Sequence, residues 1–214
     1  MSKLVLRRFA VLLPILLVGI AAAQSPVELP KPKMEGGKPL LQALKERQSI
    51  REFSNQKLPP QVLSNLLWAA SGINRPDSGR RTSPTASNRQ ELDIYVAMAE
   101  GLYVYEPKEH RLQPVSADDV RGATGGQPFV REAPVNLVYV ADFTRMGNSS
   151  DENKVFYSAT DTGFISQNVY LYCASEGLAT VVRGSVDRAP LAKAMKLRSE
   201  QRIILAQTVG YPKQ

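Results

Sequence analysis

One cysteine, Cys173, stands in 214 residues. That excludes an intrachain disulfide, a cysteine metal cluster and a thioredoxin-type pair, and its place in the apolar run "YLYCAS" reads as a buried structural thiol. There is also one histidine, His110, in the turn sequence "EPKEH". It has no second imidazole to share a metal and no nucleophile close in sequence, so it is expected on a solvent-facing turn without a catalytic role. The chain has no G-x-G-x-x-G after a strand, no P-loop and no G-x-S-x-G elbow. Ser54 and Lys57 form an S-x-x-K, but the S-D-N and K-T-G elements of serine acyl-enzymes are missing, and Pro59 and Pro60 interrupt the helix that should carry it. Lysine and arginine outnumber aspartate and glutamate 27 to 20, yet no basic block is interleaved with aromatics. A phosphate-backbone binder, and with it nucleic acid as a partner, is therefore disfavoured.

What is present fits one domain: 43% hydrophobic and 22% charged residues suffice for a sizeable core. Residues 1–23 have the layout of a signal peptide, with Lys3, Arg7 and Arg8 ahead of an apolar run from Phe9 to Ile20 and then "AAA". The run is too short for a spanning helix. The expectation is export, to a periplasm or out of the cell, with Sec and twin-arginine routes both open and the membrane involved only through the signal. Removing these residues takes away three positive charges and no negative one, so the formal +7 becomes +4. Residues 24–38, rich in proline, glycine and lysine, read as an extended arm, and the domain proper as 39–214.

Within the domain, Leu40, Leu41 and Leu44 make one helical face. A second helix starts at the proline pair, with Leu63, Leu66, Leu67 and Ala70 at helical spacing and Gly72 as its end. Residues 74–90 are a long polar loop. "LDIYVAMA" alternates as a strand, "GLYVYEPKEHRLQPV" reads as a hairpin, and a short helix is expected over 117–122. "VNLVYVAD" is a strand buried on both faces. A long central helix from Asn153 to Glu176 ends at Gly177, and "LATVV", a helix over 190–197 and the strand "QRIILAQTVG" complete an α+β order.

Arg47, Ser49 and Arg51 in "ERQSIREF" can meet one ligand only if the chain leaves the helix there. Arginine forks and a serine hydroxyl suit paired phosphate oxygens, whereas a solvated helix end with dipole-compensating cations accounts for the same residues. "ERQSIREF", followed by "SPTASNRQELDIYVA", "EAPVNLVYVAD", "SATDTGFISQNVYLYCASEGLATVVRGSVD" and "LAQTVGYPK", resembles the nitroreductase superfamily from about Lys45 onward. The block "GGQPFVREAPVNLVYVAD" is most similar to the SagB/ThcOx dehydrogenase-like branch.

The resemblance implies a three-layer fold: a central, mainly antiparallel mixed sheet flanked by helices, with one long buried helix. It implies FMN as cofactor and a homodimer with flavin at the subunit interface. Arg47 and Ser49 would bind the phosphate, with Gln48 where a second arginine is common, and Arg51 would reach the pyrimidine edge of the ring. Pro84, Thr85, Ala86, Ser87 and Asn88 would hold the ring and ribityl chain, supported by Gln90. The backbone at Arg183 and Gly184 would approach flavin N5, where glycine permits close contact. The chain stops four residues after Gly210, so Lys213 would stand in for a phosphate contact from the family's longer tail, and the arm for that tail's embrace of the partner subunit. The implied activity is ping-pong two-electron transfer to or from a small organic substrate. The electron donor is not identified and no protein side chain is assigned as acid or base. The alternative is a flavin-binding scaffold without turnover that serves a partner protein.

Overall fold

The computed structural model describes residues 24–213, and the signal-like segment lies outside them. In chain order the strands are β1 (Val27–Glu28), β2 (Ile73–Arg75), β3 (Arg80–Arg81), β4 (Leu92–Met98), β5 (Gly101–Glu106), β6 (Arg111–Ser116), β7 (Val135–Asp142), β8 (Ala179–Arg183) and β9 (Gln201–Gly210). The helices are α1 (Leu40–Glu46), α2 (Pro60–Ser71), α3 (Phe129–Glu132), α4 (Asp151–Glu176) and α5 (Arg188–Ala194). Seven strands form one sheet in the order β1-β6-β5-β4-β7-β9-β8, while β2 and β3 make a separate ribbon.

Every residue of β7 is buried, as its continuous apolar run requires of a strand covered on both faces. The pleat sends Leu137 and Tyr139 toward α2 and α4, where Leu66, Leu67, Ile165 and Val169 cover them. It sends Val138 and Val140 the other way, against Leu191 and Met195 of the α5 region. The result is the three-layer α+β arrangement expected, with α4 as the long central helix. Ser150 caps it, accepting from Asn153 N at 3.3 Å, and Gly177 ends it at φ 71°. Cys173 is buried on α4, and burial pushes its thiol pKa up.

Several local expectations are corrected. The polar stretch 74–90 is not all loop: β2 and β3 pair across a turn closed by Gly79 at φ 63°. No helix forms over 117–122, because Ser116 and Asp118 bond each other (Ser116 Oγ to Asp118 Oδ2, 2.6 Å) and Asp119 takes the Arg121 N–H (3.1 Å). Such side-chain bonds compete with a helical turn, and only a 3₁₀ turn at Arg121–Thr124 remains. The leucines of α1 do not bury: Leu40 and Leu41 are 64% and 79% exposed, and Ala43 is the residue turned inward.

The arm lies against its own domain, with β1 antiparallel to β6. His110, expected to face solvent, is half-buried and pins it. Ser64 Oγ donates to Pro30 O (2.5 Å) and therefore accepts from His110 Nε2 (2.8 Å), which leaves Nδ1 to accept from Tyr105 OH (2.9 Å). Burial pushes the His110 pKa below its ordinary 6.5. The stability it contributes is therefore complete above about pH 6.5 and is lost as pH falls through the lowered folded value. His110→Ala should cost about 1–3 kcal/mol by orphaning the buried Tyr105 hydroxyl. Denaturant unfolding at pH 5 and 7.5 checks both points: the wild type loses stability at the lower pH relative to the variant.

Candidate functional site

Helix α1 stops at Glu46, and Arg47 caps it with φ −56° and ψ 122°. The following residues carry no helix, and Ile50 N donates to Thr180 O (3.0 Å) at the start of β8. In extended backbone, positions i and i+2 share a side, and departure from the helix sets Arg47 and Ser49 together beside Tyr170. The strip is fastened at its far end to the C-terminal strand, where Phe53 bridges Pro212 and Ser54 N donates to Tyr211 O (2.9 Å).

Tyr170 of α4 organises the first half of the strip. Val182 N donates to its hydroxyl (3.0 Å), which in turn meets Ser49 Oγ at 2.8 Å. Either hydroxyl can be the donor in that pair; when Tyr170 donates, the Ser49 hydrogen is left for another acceptor. The Arg47 guanidinium carbon stands 5.3 Å from the Tyr170 ring centroid, a cation–π distance. Glu46, the neighbouring acid, is already occupied by Lys38 Nζ (2.5 Å) and Gln42 Nε2 (2.9 Å), and these bonds hold its pKa below the usual carboxylate value. Among the described residues Arg47 makes no ion pair. Gln48 joins Lys38, Lys45, Arg47 and Tyr170 around a cavity of about 410 Å³. Arg51 lines a different recess of about 480 Å³ with Phe129 and Lys213. Lys213 is thus brought beside Arg51 and not beside Arg47.

The loop from Pro84 to Asn88 hangs from the other half of α4. Ala86 N donates to Asp161 Oδ2 (2.8 Å), and Thr85 Oγ1 accepts from Gln90 N (3.0 Å). Ser87, Asn88 and Gln90 all have φ of 50–54°, a region that non-glycine residues enter only when surroundings impose it. Gln90 Nε2 donates to Gly79 O (3.1 Å) and Asn88 Oδ1 (3.2 Å). No hydrogen bond joins residues 47–51 to residues 84–88 among the described residues.

At the end of β8 the Arg183 side chain turns into the core, 4% exposed, and burial lowers its pKa to about 10. Among the described residues it has no carboxylate partner, and it donates to Thr208 Oγ1 (3.0 Å), Thr124 O (2.6 Å) and Asn136 Oδ1 (3.1 Å). The chain reaches the surface again at Gly184, and a Cβ built there would meet nothing nearer than Leu205 at 3.8 Å. The packing of this chain does not demand that glycine. The S-x-x-K pair is not a catalytic couple: Lys57 is ion-paired with Glu100, and Ser54 Oγ accepts from Gln56 N (3.0 Å).

Residues 44–211 match the Nitroreductase family. The chain belongs to that family. A nitroreductase-like protein of Methanocaldococcus jannaschii, MJ1384, is 30% identical over 182 residues, spanning 80% of this chain and 91% of its own. The crystal structure of a nitroreductase-like protein from Ralstonia eutropha JMP134 superposes with TM-score 0.86 at 42% identity, covering 91% of this chain and 93% of that one. A nitroreductase-like protein of Desulfovibrio desulfuricans, solved in complex with FMN, has the same fold (TM-score 0.61, 22% identity, 83% and 88% covered). The chain is thus a nitroreductase-family oxidoreductase.

Two participants escaped the sequence reading: Tyr170 and Asp161. Tyr170 read as one more apolar position on α4. Asp161 had a signal, being a carboxylate among small residues in the middle of a buried helix. The two glycines next to Arg183 differ in a testable way. Gly184→Ala should shift stability by no more than about 0.5 kcal/mol, whereas Gly125→Ala, whose Cβ would collide with the Arg183 guanidinium, should cost about 1–3 kcal/mol. Equal losses in chemical denaturation would contradict the open face assigned to Gly184.

Proposed function

We propose that the protein is an exported FMN-dependent oxidoreductase of the SagB/ThcOx dehydrogenase-like branch, running a ping-pong cycle on a small organic substrate. The observation that carries the reading is the Arg47–Ser49–Tyr170 cluster: an arginine without an acid partner among the described residues, beside a serine hydroxyl held by the Tyr170 hydroxyl. These donors suit a phosphate. The open face of Gly184 suits a flat ring laid against backbone. Bound FMN supplies the two-electron, hydride-transferring chemistry.

The chain's own residues bind and orient. Arg47 and Ser49 take the phosphate, and Tyr170 fixes the serine rotamer. Arg51, exposed and paired with no acid among the described residues, brings positive charge to the ring's pyrimidine edge, while the Gly184 backbone leaves room at N5. Export rests on the layout of residues 1–23, and the branch on the "GGQPFVREAPVNLVYVAD" block. Two features support a homodimer. The Arg47 strip and the 84–88 loop do not bond within one chain among the described residues, and large apolar side chains stay exposed on α1 (Leu40, Leu41) and on α4 (Phe156, Phe164). A second copy, contributing its loop to the first copy's strip, completes the site and covers apolar surface of these helices.

The purified mature chain should carry flavin absorbance or acquire it on addition of FMN, and a colourless protein that takes up none overturns the proposal. Arg47→Ala should weaken FMN binding by about 2 kcal/mol, the scale of one charge-assisted hydrogen bond, as read by fluorescence titration. Leu41→Glu should convert the dimer to monomer in light scattering and weaken FMN binding with it.

A further inference from the structure

The arm ends in a seat built for one residue. Gly36 and Gly37 both take positive φ (107° and 72°), and a Cβ on Gly37 would stand 2.3 Å from Ser175 Oγ. Glycine is what allows the backbone this approach. The next residue, Lys38, then donates its backbone N–H to Ser175 Oγ at 2.7 Å. Its ammonium lies over the last turn of α4, donating to Ala174 O (3.3 Å) and to Glu46 Oε2 (2.5 Å). The Lys38 and Glu46 side chains stay reachable from solvent, 35% and 39% exposed.

The seat puts Lys38 in the cavity of Arg47. Tyr170, which carries the Arg47 guanidinium, and Ala174, which receives the Lys38 ammonium, are four residues apart on α4. Such positions share a helix face and are separated by about 6 Å along its axis, so the two cations stand over successive turns. Around the cavity of about 410 Å³, Lys38, Lys45 and Arg47 face one acid, Glu46. Two positive charges are left in excess, against a charge of about −2 on a phosphate monoester. Gln48 adds none to this cavity, and Lys213 lies in the Arg51 recess.

We propose that Lys38 is a phosphate ligand delivered by the arm, the second cation beside Arg47 in the phosphate site, and that Glu46 opposes the same anion. That the phosphate belongs to FMN rests on the reading above; the lysine–arginine anion site does not. The arm, clamped on its own domain through Pro30 O, thereby becomes part of the cofactor site. A lysine serving only to neutralise Glu46 and the α4 carbonyls would make the same bonds. The two roles differ in sign at Glu46: removing its charge breaks an ion pair, yet it strengthens the hold on an anion.

Titration of the purified chain with FMN and with riboflavin, which lacks the phosphate, separates them. Lys38→Met should raise the FMN Kd about tenfold, as loss of one charge-assisted hydrogen bond does, and leave the riboflavin Kd within about twofold. Glu46→Gln should lower the FMN Kd about threefold, the scale of one exposed charge interaction, and it carries the test where Lys38→Met does not fold. An FMN Kd unchanged in Lys38→Met, equal losses for the two flavins, or weaker FMN binding in Glu46→Gln makes the lysine structural and overturns the proposal. A wild-type chain that binds neither flavin counts against the FMN reading alone. The anion site is then read from the Tm with added inorganic phosphate, which should rise in the wild type and less in Lys38→Met. No rise, or an equal rise in Lys38→Met, overturns the proposal too.

Discussion

Complete burial of β7 is the constraint from which the rest of the molecule follows. A strand with no exposed residue must be covered on both faces, so helices are required on two sides. The face carrying Leu137, Tyr139 and Ala141 is wide enough to need α2 and the 26-residue α4 together. At 1.5 Å rise, such a helix is about 39 Å long, long enough to serve both ends of the sheet. Both halves of the candidate site are hung from it, the loop on Asp161 and the arginine strip on Tyr170. The site's geometry is therefore set by core packing more than by the loops that form it.

The same strand shows how polar groups are tolerated inside. Tyr139 OH donates to Gln207 Oε1 (2.5 Å), and Gln207 Nε2 donates to Thr180 Oγ1 (3.0 Å), so β7, β9 and β8 are tied across one face. Across the other face, Asn136, Thr208 and Thr124 collect around Arg183. Each of these groups is matched by side chain or backbone, and a slip of one residue would orphan the set, so the networks specify register at the end where the chain must present Gly184. Arg183 is the expensive member, a buried cation answered only by neutral oxygens. Its guanidinium fits because Gly125 has no side chain.

Much of this was legible from residue order. The spacing of Leu63, Leu66, Leu67 and Ala70 defines α2, the unbroken "VNLVYVAD" defines β7, and Gly177 marks the end of α4, because each signal is local and strong. What escaped was non-local or contradictory. β1 has two residues and exists only because β6 offers an edge. His110 sits on a turn, as its neighbours imply, but the arm returns over it. The leucines of α1 have a core-like period yet face outward, since periodicity records that a face needs covering and not by what. For the site, the arginine and serine spacing was visible, whereas the bonds of Tyr170 to Ser49 and of Asp161 to Ala86 span 121 and 75 residues of sequence.

The placement of those contacts along α4 decides how the two halves of the site can communicate. Asp161 and Tyr170 are nine residues apart, about 13.5 Å along the helix axis, and no hydrogen bond links their two groups. On the dimer proposed above, with the strip of one copy and the loop of the other around each cofactor, the phosphate and the ring rest on separate anchors of two copies of the same helix, Tyr170 for the strip and Asp161 for the loop.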